Sequence, residues 1–187
     1  MVDRRIDTLI GAAPEQLRAR ALELGASDAL VVSPGQVVTA EWVRMKCLYG
    51  CDDNGSYRTC PPNSPAPDFT RRLVDEYRRA LLLQAGPIRG RENSDPMSQR
   101  LNDAAYKLER ELFLAGFHKA WMMGAGPCDV CGVCTVDSPC ARPERARPSM
   151  EGCGVDVFTT VCNAGWTIDV VQDEDDAYRF FALVLVD

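Results

Sequence analysis

The sequence predicts an α/β fold: a single-domain sandwich around one mixed or parallel sheet, with two cysteine-rich loops at strand ends. Helical and strand-like periodicities alternate along the chain, which is typical of a sheet covered by helices. The apolar runs have the length of buried strands, and each cysteine-rich segment follows a predicted strand. The 187 residues fit one hydrophobic core, so we predict one domain over residues 1–187.

Helices are predicted where apolar residues recur every three or four positions. Leu101, Leu108 and Leu112 lie on one side of such a helix, and Gly116 ends it. The predicted helices are 14–24, 68–79, 96–115 and 155–164, and the predicted strands are 28–33, 37–45, 80–85, 118–124 and 178–186. The segments 47–67 and 126–154 are rich in turn-forming residues and are predicted to be loops.

Charge and hydropathy argue against two classes of partner. A net charge of -6 leaves no general basic face for nucleic acid. The apolar runs fall short of the ~20 residues of a membrane span, and residues 1–7 carry no apolar segment behind their arginines. We therefore expect a cytoplasmic protein without a signal peptide, a membrane partner or a nucleic-acid partner. A glycine-rich phosphate loop is also missing from the sequence, so a nucleotide cofactor has no support.

Nine cysteines are the most informative part of the composition. In a reducing cytoplasm, clustered cysteines ligate metal or do redox chemistry more often than they form disulfides. An odd number also fits a set of disulfides poorly.

The strongest motif is C-x2-C-x2-C, formed by Cys128, Cys131 and Cys134. Three thiolates at this spacing can wrap an iron–sulfur cubane, as in the bacterial ferredoxin run, whereas zinc usually takes separate pairs of cysteines. Cys140 follows after five residues, which departs from the ferredoxin pattern. The spacing therefore favours iron–sulfur over zinc but leaves open whether Cys140 closes the same cluster.

A second motif, C-x3-C-x8-C-P-P, contains Cys47, Cys51 and Cys60. Its start is similar to that of radical-SAM enzymes, but those require a third cysteine after two residues rather than eight, so that class is rejected. Zinc ligation and buried free thiols remain alternatives for this segment taken alone.

The number of ligands bears on the number of clusters. Two 4Fe–4S clusters take four thiolates each, and Cys153 completes that number with the seven cysteines of the two motifs. Cys162 is left over and is expected to be a buried free thiol within an apolar helix. The alternative is one complete cluster and one three-cysteine site with an open iron, which is what a catalytic metal needs.

These residues resemble a family of predicted metal-binding proteins of unknown function from bacteria and archaea, many of them anaerobes. The likeness covers the two cysteine blocks and the stretch Arg-Pro-Ser-Met-Glu at 147–151, and extends over roughly 47–165. The resemblance implies an iron–sulfur or other metal protein. It implies no particular reaction.

Other polar residues have local roles in our interpretation. His118 precedes the cysteine segment and is expected to be structural, and Ser149 is expected to cap a short helix. Asp52, Asp53 and Asn54 are expected to form turns. The arginines at 142, 145 and 147 either belong to a surface loop, offset a negative cluster or bind an anionic partner.

Taken together, the sequence predicts an iron–sulfur protein with two 4Fe–4S clusters that works in low-potential electron transfer with a redox partner protein. The first alternative is an enzyme that uses an open-site cluster to reduce a small-molecule substrate or to transfer sulfur. The second alternative is a structural or interaction domain stapled by zinc.

Overall fold

Four β-strands form one open sheet in this computed structural model, which describes residues 13–187. The strands are β1 (Asp28–Val32), β2 (Arg79–Ile88), β3 (Trp121–Met123) and β4 (Tyr178–Val186). Their order in the sheet is β1-β2-β4-β3, so β4 lies inside the sheet although it comes last along the chain.

The strand direction differs from the prediction. Every neighbouring pair of strands is antiparallel, so the prediction of a mixed or parallel sheet was wrong. An alternation of helices and strands does not fix direction, because each connection here is long enough to return the chain to either end of the sheet.

Both faces of the sheet are covered, and the side chains of β2 alternate between them. Leu81 and Leu83 pack against helices α1 (Pro14–Leu24) and α4 (Ser94–Leu114). Leu82 belongs to the apolar cluster on the opposite face. The remaining helices are α2 (Glu41–Gly50), α3 (Pro67–Asp75) and α5 (Val157–Asn163). Coverage on both faces explains why the central strands read as continuous apolar runs.

Most predicted elements occur in the described part of the chain, with ends shifted by a few residues. The predicted strand 37–45 was wrong, because helix α2 begins at Glu41. Its apolar residues follow no single face: Val43 is buried, whereas Trp42 and Met45 are 49% and 53% exposed. Consequently the first cysteine segment begins within a helix rather than after a strand, while the second comes after β3.

None of the helices within residues 13–187 is long and apolar enough to cross a membrane. The interpretation of residues 1–7 as lacking a signal peptide lies outside the described residues.

Candidate metal centre

The first cysteine segment begins on the last turn of α2. Cys47 lies in that turn and Cys51 is the residue that ends the helix. Residues four apart lie on one face of a helix, so the spacing C-x3-C brings these two thiols to the same side. The chain then turns, with the amide of Asn54 donating to the carbonyl of Cys51 (3.2 Å), and reaches Cys60.

The stretch 148–156 connects both cysteine segments to the rest of the fold. Met150 donates its amide to the Gly124 carbonyl just beyond β3 (2.9 Å), which places this stretch beside the second segment. Asp156 donates to the Val38 carbonyl just before α2 (2.8 Å), which places it beside the first. Between these two attachments lies a short 3-10 helix, Glu151–Cys153, which we call the bridging turn.

Four thiols share one small cavity of about 20 Å³, the four-cysteine cavity. They belong to Cys128, Cys131, Cys134 and Cys140. Burial raises the pKa of the Cys128 thiol, while hydrogen bonds from the backbone amides of Val130 and Arg147 oppose that shift by favouring the thiolate. Thr59, from the first segment, also lines this cavity, and its buried hydroxyl oxygen has no partner in the described part of the chain.

Three further thiols share a larger cavity of about 120 Å³, the three-cysteine cavity. Burial raises the pKa of the Cys60 thiol to about 11, and the nearby Cys51 and Asp53 charges act in the same direction. Burial also raises the pKa of Cys47, and the Arg44 guanidinium counteracts part of this shift. The side chain of Asn54 lines the same cavity, and its buried amide oxygen has no partner among residues 13–187.

Arg44 fastens the first segment to the bridging turn. Its guanidinium donates to the Gly152 carbonyl (2.7 Å) and to the Ser64 hydroxyl oxygen (2.8 Å). The turn also packs very closely, because a Cβ added at Gly154 would lie 2.4 Å from the Pro67 ring. The three-cysteine cavity is therefore closed on one side by a firmly held piece of backbone.

The two cavities adjoin one another. Pro127 lines the three-cysteine cavity and is followed directly by Cys128 of the other cavity. The Cys128 charge is among those that raise the pKa of Cys60. The pKa of Tyr57 is raised by burial and also by the charges of Cys60, Cys128 and Cys134. Seven of the eight predicted ligands thus lie in one region of the fold, four in one cavity and three in the other.

The remaining two cysteines are placed apart from these seven. Cys153 is 2% exposed within the apolar cluster under the sheet and lines neither cysteine cavity. Burial raises its pKa to about 12, which favours the neutral thiol. Cys162 was expected to be buried, but it is exposed on α5 because Thr160 and Val161 take the inward positions.

A mostly apolar groove of about 610 Å³ opens beside the three-cysteine cavity. Trp42, Phe158 and Phe181 contribute to its walls, and Cys47 and Glu151 line both the groove and the cavity. This volume lies within the range of about 300–1,000 Å³ that small-molecule sites occupy.

The three arginines near Cys140 all pair with carboxylates. Arg142 binds Glu144 (2.8 Å) and Arg145 binds Asp103 (2.6 Å) at the surface. Arg147 makes two hydrogen bonds to the buried Glu109 carboxylate, at 2.9 and 2.5 Å. These contacts support the structural interpretation of the arginines over a clamp for an anionic partner.

Sequence reasoning missed Glu151 and Thr59 as residues of the site. Both lie within the stretches that resemble the metal-binding family, and that resemblance was the signal that could have found them.

The expected roles of two other residues hold. Ser149 accepts a hydrogen bond from the Gly152 amide at the start of the bridging turn (2.9 Å), and Asp53 accepts one from the Ser56 amide in a turn (3.0 Å). His118 is exposed and lines neither cysteine cavity.

The described residues contain no group of three or more His, Cys, Asp or Glu side chains arranged to hold a single metal ion. The cysteines instead surround two spaces, each lined by several thiols.

The fold gathers seven cysteines from two distant segments around adjoining cavities, which makes this a cysteine-rich α/β protein. The chain belongs to the DUF2284 family, described as predicted metal-binding proteins, whose model matches residues 30–186. No curated protein and no solved structure matches the chain.

Proposed function

We propose that this protein holds two 4Fe–4S clusters and works in low-potential electron transfer. The observation that carries the proposal is the division of seven cysteines between two adjoining cavities, four in one and three in the other. When bound, such a cluster supplies a one-electron carrier whose potential depends on its ligands and on hydrogen bonds to sulfur. Adjoining sites of this kind suit the passage of electrons through the protein.

The four-cysteine cavity suits a cluster by its donors and its thiols, and its loop would open around the cluster, since about 20 Å³ holds little more than one water molecule. Backbone amides point at the Cys128 sulfur, and such hydrogen bonds stabilise thiolate ligands. A buried hydroxyl without a partner is costly, and a sulfur acceptor in this cavity would satisfy Thr59. Cys128, Cys131, Cys134 and Cys140 would hold this cluster.

The three-cysteine cavity fits a metal centre for a different reason. Its three thiols line one space of about 120 Å³, and thiolates are the ligands that select iron–sulfur centres. Cys47, Cys51 and Cys60 would hold the cluster. We infer that Cys153, packed among apolar side chains, stabilises the core instead of ligating metal.

A zinc staple is less well supported. One tetrahedral zinc ion needs its thiolates roughly 4 Å apart, given a Zn–S distance of about 2.3 Å. No group within residues 13–187 has an arrangement for a single ion. The cysteines also lack the two separate C-x2-C pairs that zinc usually takes.

The surroundings of the four-cysteine cavity suit a redox partner protein. Val133, between two of the cysteines, is 81% exposed, so the loop that carries them is at the surface. The net charge of -6 favours a partner with a basic face. We place the protein in the cytoplasm, where reduced thiols persist, because its cysteines are all free thiols in the structure.

The apolar groove favours a second candidate function, an enzyme that reduces a small molecule or transfers sulfur at the three-cysteine site. Cys47 and Cys51 line both the groove and that cavity, so a bound molecule would reach the metal centre. The mostly apolar walls would exclude water from it.

Metal analysis of protein purified without oxygen tests the proposal. We expect about eight iron atoms and about eight acid-labile sulfides per chain, as two 4Fe–4S clusters require. Zinc at one or two atoms per chain without sulfide would overturn it. Electron paramagnetic resonance of the reduced protein, with and without small apolar molecules, separates carrier from enzyme because a ligand at an open iron changes the signal of that cluster.

A further inference from the structure

We propose that Glu151 supplies the fourth ligand of the three-cysteine site, so that this cluster is held by three thiolates and one carboxylate. The assignment rests on the proposed function, since it concerns the cluster proposed there for Cys47, Cys51 and Cys60. It replaces Cys153 as the residue that completes the site.

The first argument is the distribution of ligands around the cavity. The three cysteines all come from residues 47–60, whereas the facing part of the cavity lining comes from residues 126–127 and 149–152. A 4Fe–4S cluster takes four ligands, so three cysteines from one segment leave one ligand to come from another part of the lining. Glu151 is the one carboxylate in that part of the lining, and it lines the cavity together with Cys47.

The second argument is the rigidity of the backbone that carries Glu151. The Gly152 carbonyl accepts hydrogen bonds from Arg44 (2.7 Å) and from the Ser64 hydroxyl. The Cys153 carbonyl accepts one from the Thr70 hydroxyl (2.7 Å). The Ser149 hydroxyl oxygen accepts a hydrogen bond from the Gly152 amide (2.9 Å), which fixes the turn that carries the exposed Glu151. A backbone held in this way keeps Glu151 at the cavity, which lowers the entropic cost of binding metal.

The third argument concerns the competing groups. Cys153 lies on the same turn but packs into the apolar core. Asp53 also lines the cavity, but it belongs to the loop that already supplies the thiolates. Glu151 alone of these three also lines the groove. A molecule in the groove would therefore meet the iron that carries an oxygen ligand, which is the corner where ligand exchange is easiest.

The test compares two variants that each remove one negative charge from the same cavity, Glu151→Gln and Asp53→Asn. The proteins are reconstituted without oxygen, in the Cys131→Ala background so that the three-cysteine site is observed alone. Mild oxidation then removes any weakly held iron, and the three-iron cluster that results is followed by electron paramagnetic resonance. Mössbauer spectroscopy reports whether one iron carries an oxygen ligand.

We expect Glu151→Gln to lose the fourth iron at least about tenfold faster than the background protein, as loss of a metal-supporting group usually does. Asp53→Asn should behave like the background protein, and Glu151→Cys should retain four irons and lose the oxygen-ligated Mössbauer component. Equal rates for Glu151→Gln and the background, or faster loss in Asp53→Asn, would overturn the assignment. A wild-type protein without iron overturns the proposed function and this assignment with it, so the two failures are distinguishable.

Discussion

The two cysteine cavities differ in how their thiols are brought together and in what surrounds them. The four-cysteine cavity takes all its thiols from one loop of 13 residues, 128–140. The three-cysteine cavity combines the end of helix α2 with a proline-rich loop and is bounded on its far side by the bridging turn. The first is small, about 20 Å³, whereas the second adjoins a groove large enough for a small molecule.

Different arginines hold the two cavities in place. Arg147, whose amide reaches the Cys128 sulfur, is fixed by a buried ion pair with Glu109 and lies over the Trp121 ring at 4.3 Å. Arg44 binds carbonyl and hydroxyl oxygens, and no carboxylate pairs with it among residues 13–187. Its positive charge therefore acts on the Cys47 thiol, whose pKa it lowers in opposition to burial. The arginine beside the four-cysteine cavity, Arg147, is therefore neutralised by a carboxylate, whereas the arginine beside the three-cysteine cavity, Arg44, keeps its positive charge.

The largest expected effect separates the cavities by their metal content. Cys131→Ala should remove about half of the iron, and Cys51→Ala about the other half, because each cavity has its own thiols. Iron and sulfide analysis of the two variants and of the double variant measures this. Complete loss from either single variant would mean that the cavities share one metal centre.

Breaking the anchor of the four-cysteine cavity should destabilise the whole fold. Glu109→Ala leaves the Arg147 guanidinium, 14% exposed, without its partner and removes the acceptor of the Met122 amide. Removing one member of a buried ion pair costs about 3–5 kcal/mol. Urea denaturation of the metal-free protein gives the change in the free energy of unfolding. The surface pair Arg142–Glu144 is the matched control, and Glu144→Ala should lower the free energy of unfolding far less than Glu109→Ala.

A third prediction concerns the pH dependence of Cys153. Its folded pKa, about 12, lies above the ordinary value of 9.0, so the folded state retains a proton that the unfolded state loses. Its contribution to stability is fully present below pH 9 and declines as the pH rises toward 12. At pH 10.5 the loss relative to pH 8 should be about 2 kcal/mol.

Urea denaturation of the reduced, metal-free protein at pH 8 and pH 10.5 measures this loss. Because other buried thiols and tyrosines titrate in the same range, the comparison with Cys153→Ala isolates the contribution of this thiol. The variant should lose about 2 kcal/mol less than the wild type over that interval. An identical pH dependence in the two proteins would show that Cys153 has its ordinary pKa in the folded state. It would then contradict the burial of this thiol in the structure.

The smallest effect is expected for Cys162→Ser. This thiol is exposed on α5 and lines neither cysteine cavity. Iron content should be unchanged, and the free energy of unfolding should change by less than about 0.5 kcal/mol. A loss of iron in this variant would show that Cys162 supports a metal site and that the assignment of the seven ligands is wrong.

The sequence predicted the parts of the structure that depend on local periodicity. Helices α1 and α4 follow from evenly spaced apolar residues and strand β4 from a continuous apolar run. The C-x2-C-x2-C spacing brings its thiols to one cavity with Cys140. Strand direction depends on how distant segments pair, which no local pattern records. Helix α2 was missed because its apolar side chains, such as Trp42 and Met45, are exposed rather than on one buried face.

The same limit applies to Cys153 and Cys162. One thiol lies in a glycine-rich loop and the other in an apolar helix, so composition alone favours exposing the first and burying the second. The fold does the reverse, because the bridging turn packs under the sheet and α5 directs Cys162 outward. Whether a thiol can reach a metal site is decided by these tertiary contacts and not by its immediate neighbours in the sequence.

The position of β4 has a consequence for how the protein is made. β3 pairs only with β4 in the sheet, and the attachment of the bridging turn beside Gly124 extends from β3. During synthesis, both cysteine segments leave the ribosome before the strand that completes their support. Ribosome-stalled chains that end before Tyr178 should therefore bind no iron above the level of unfolded controls, which iron analysis of isolated complexes would show. We therefore expect this protein to receive its metal only after β4 has been translated.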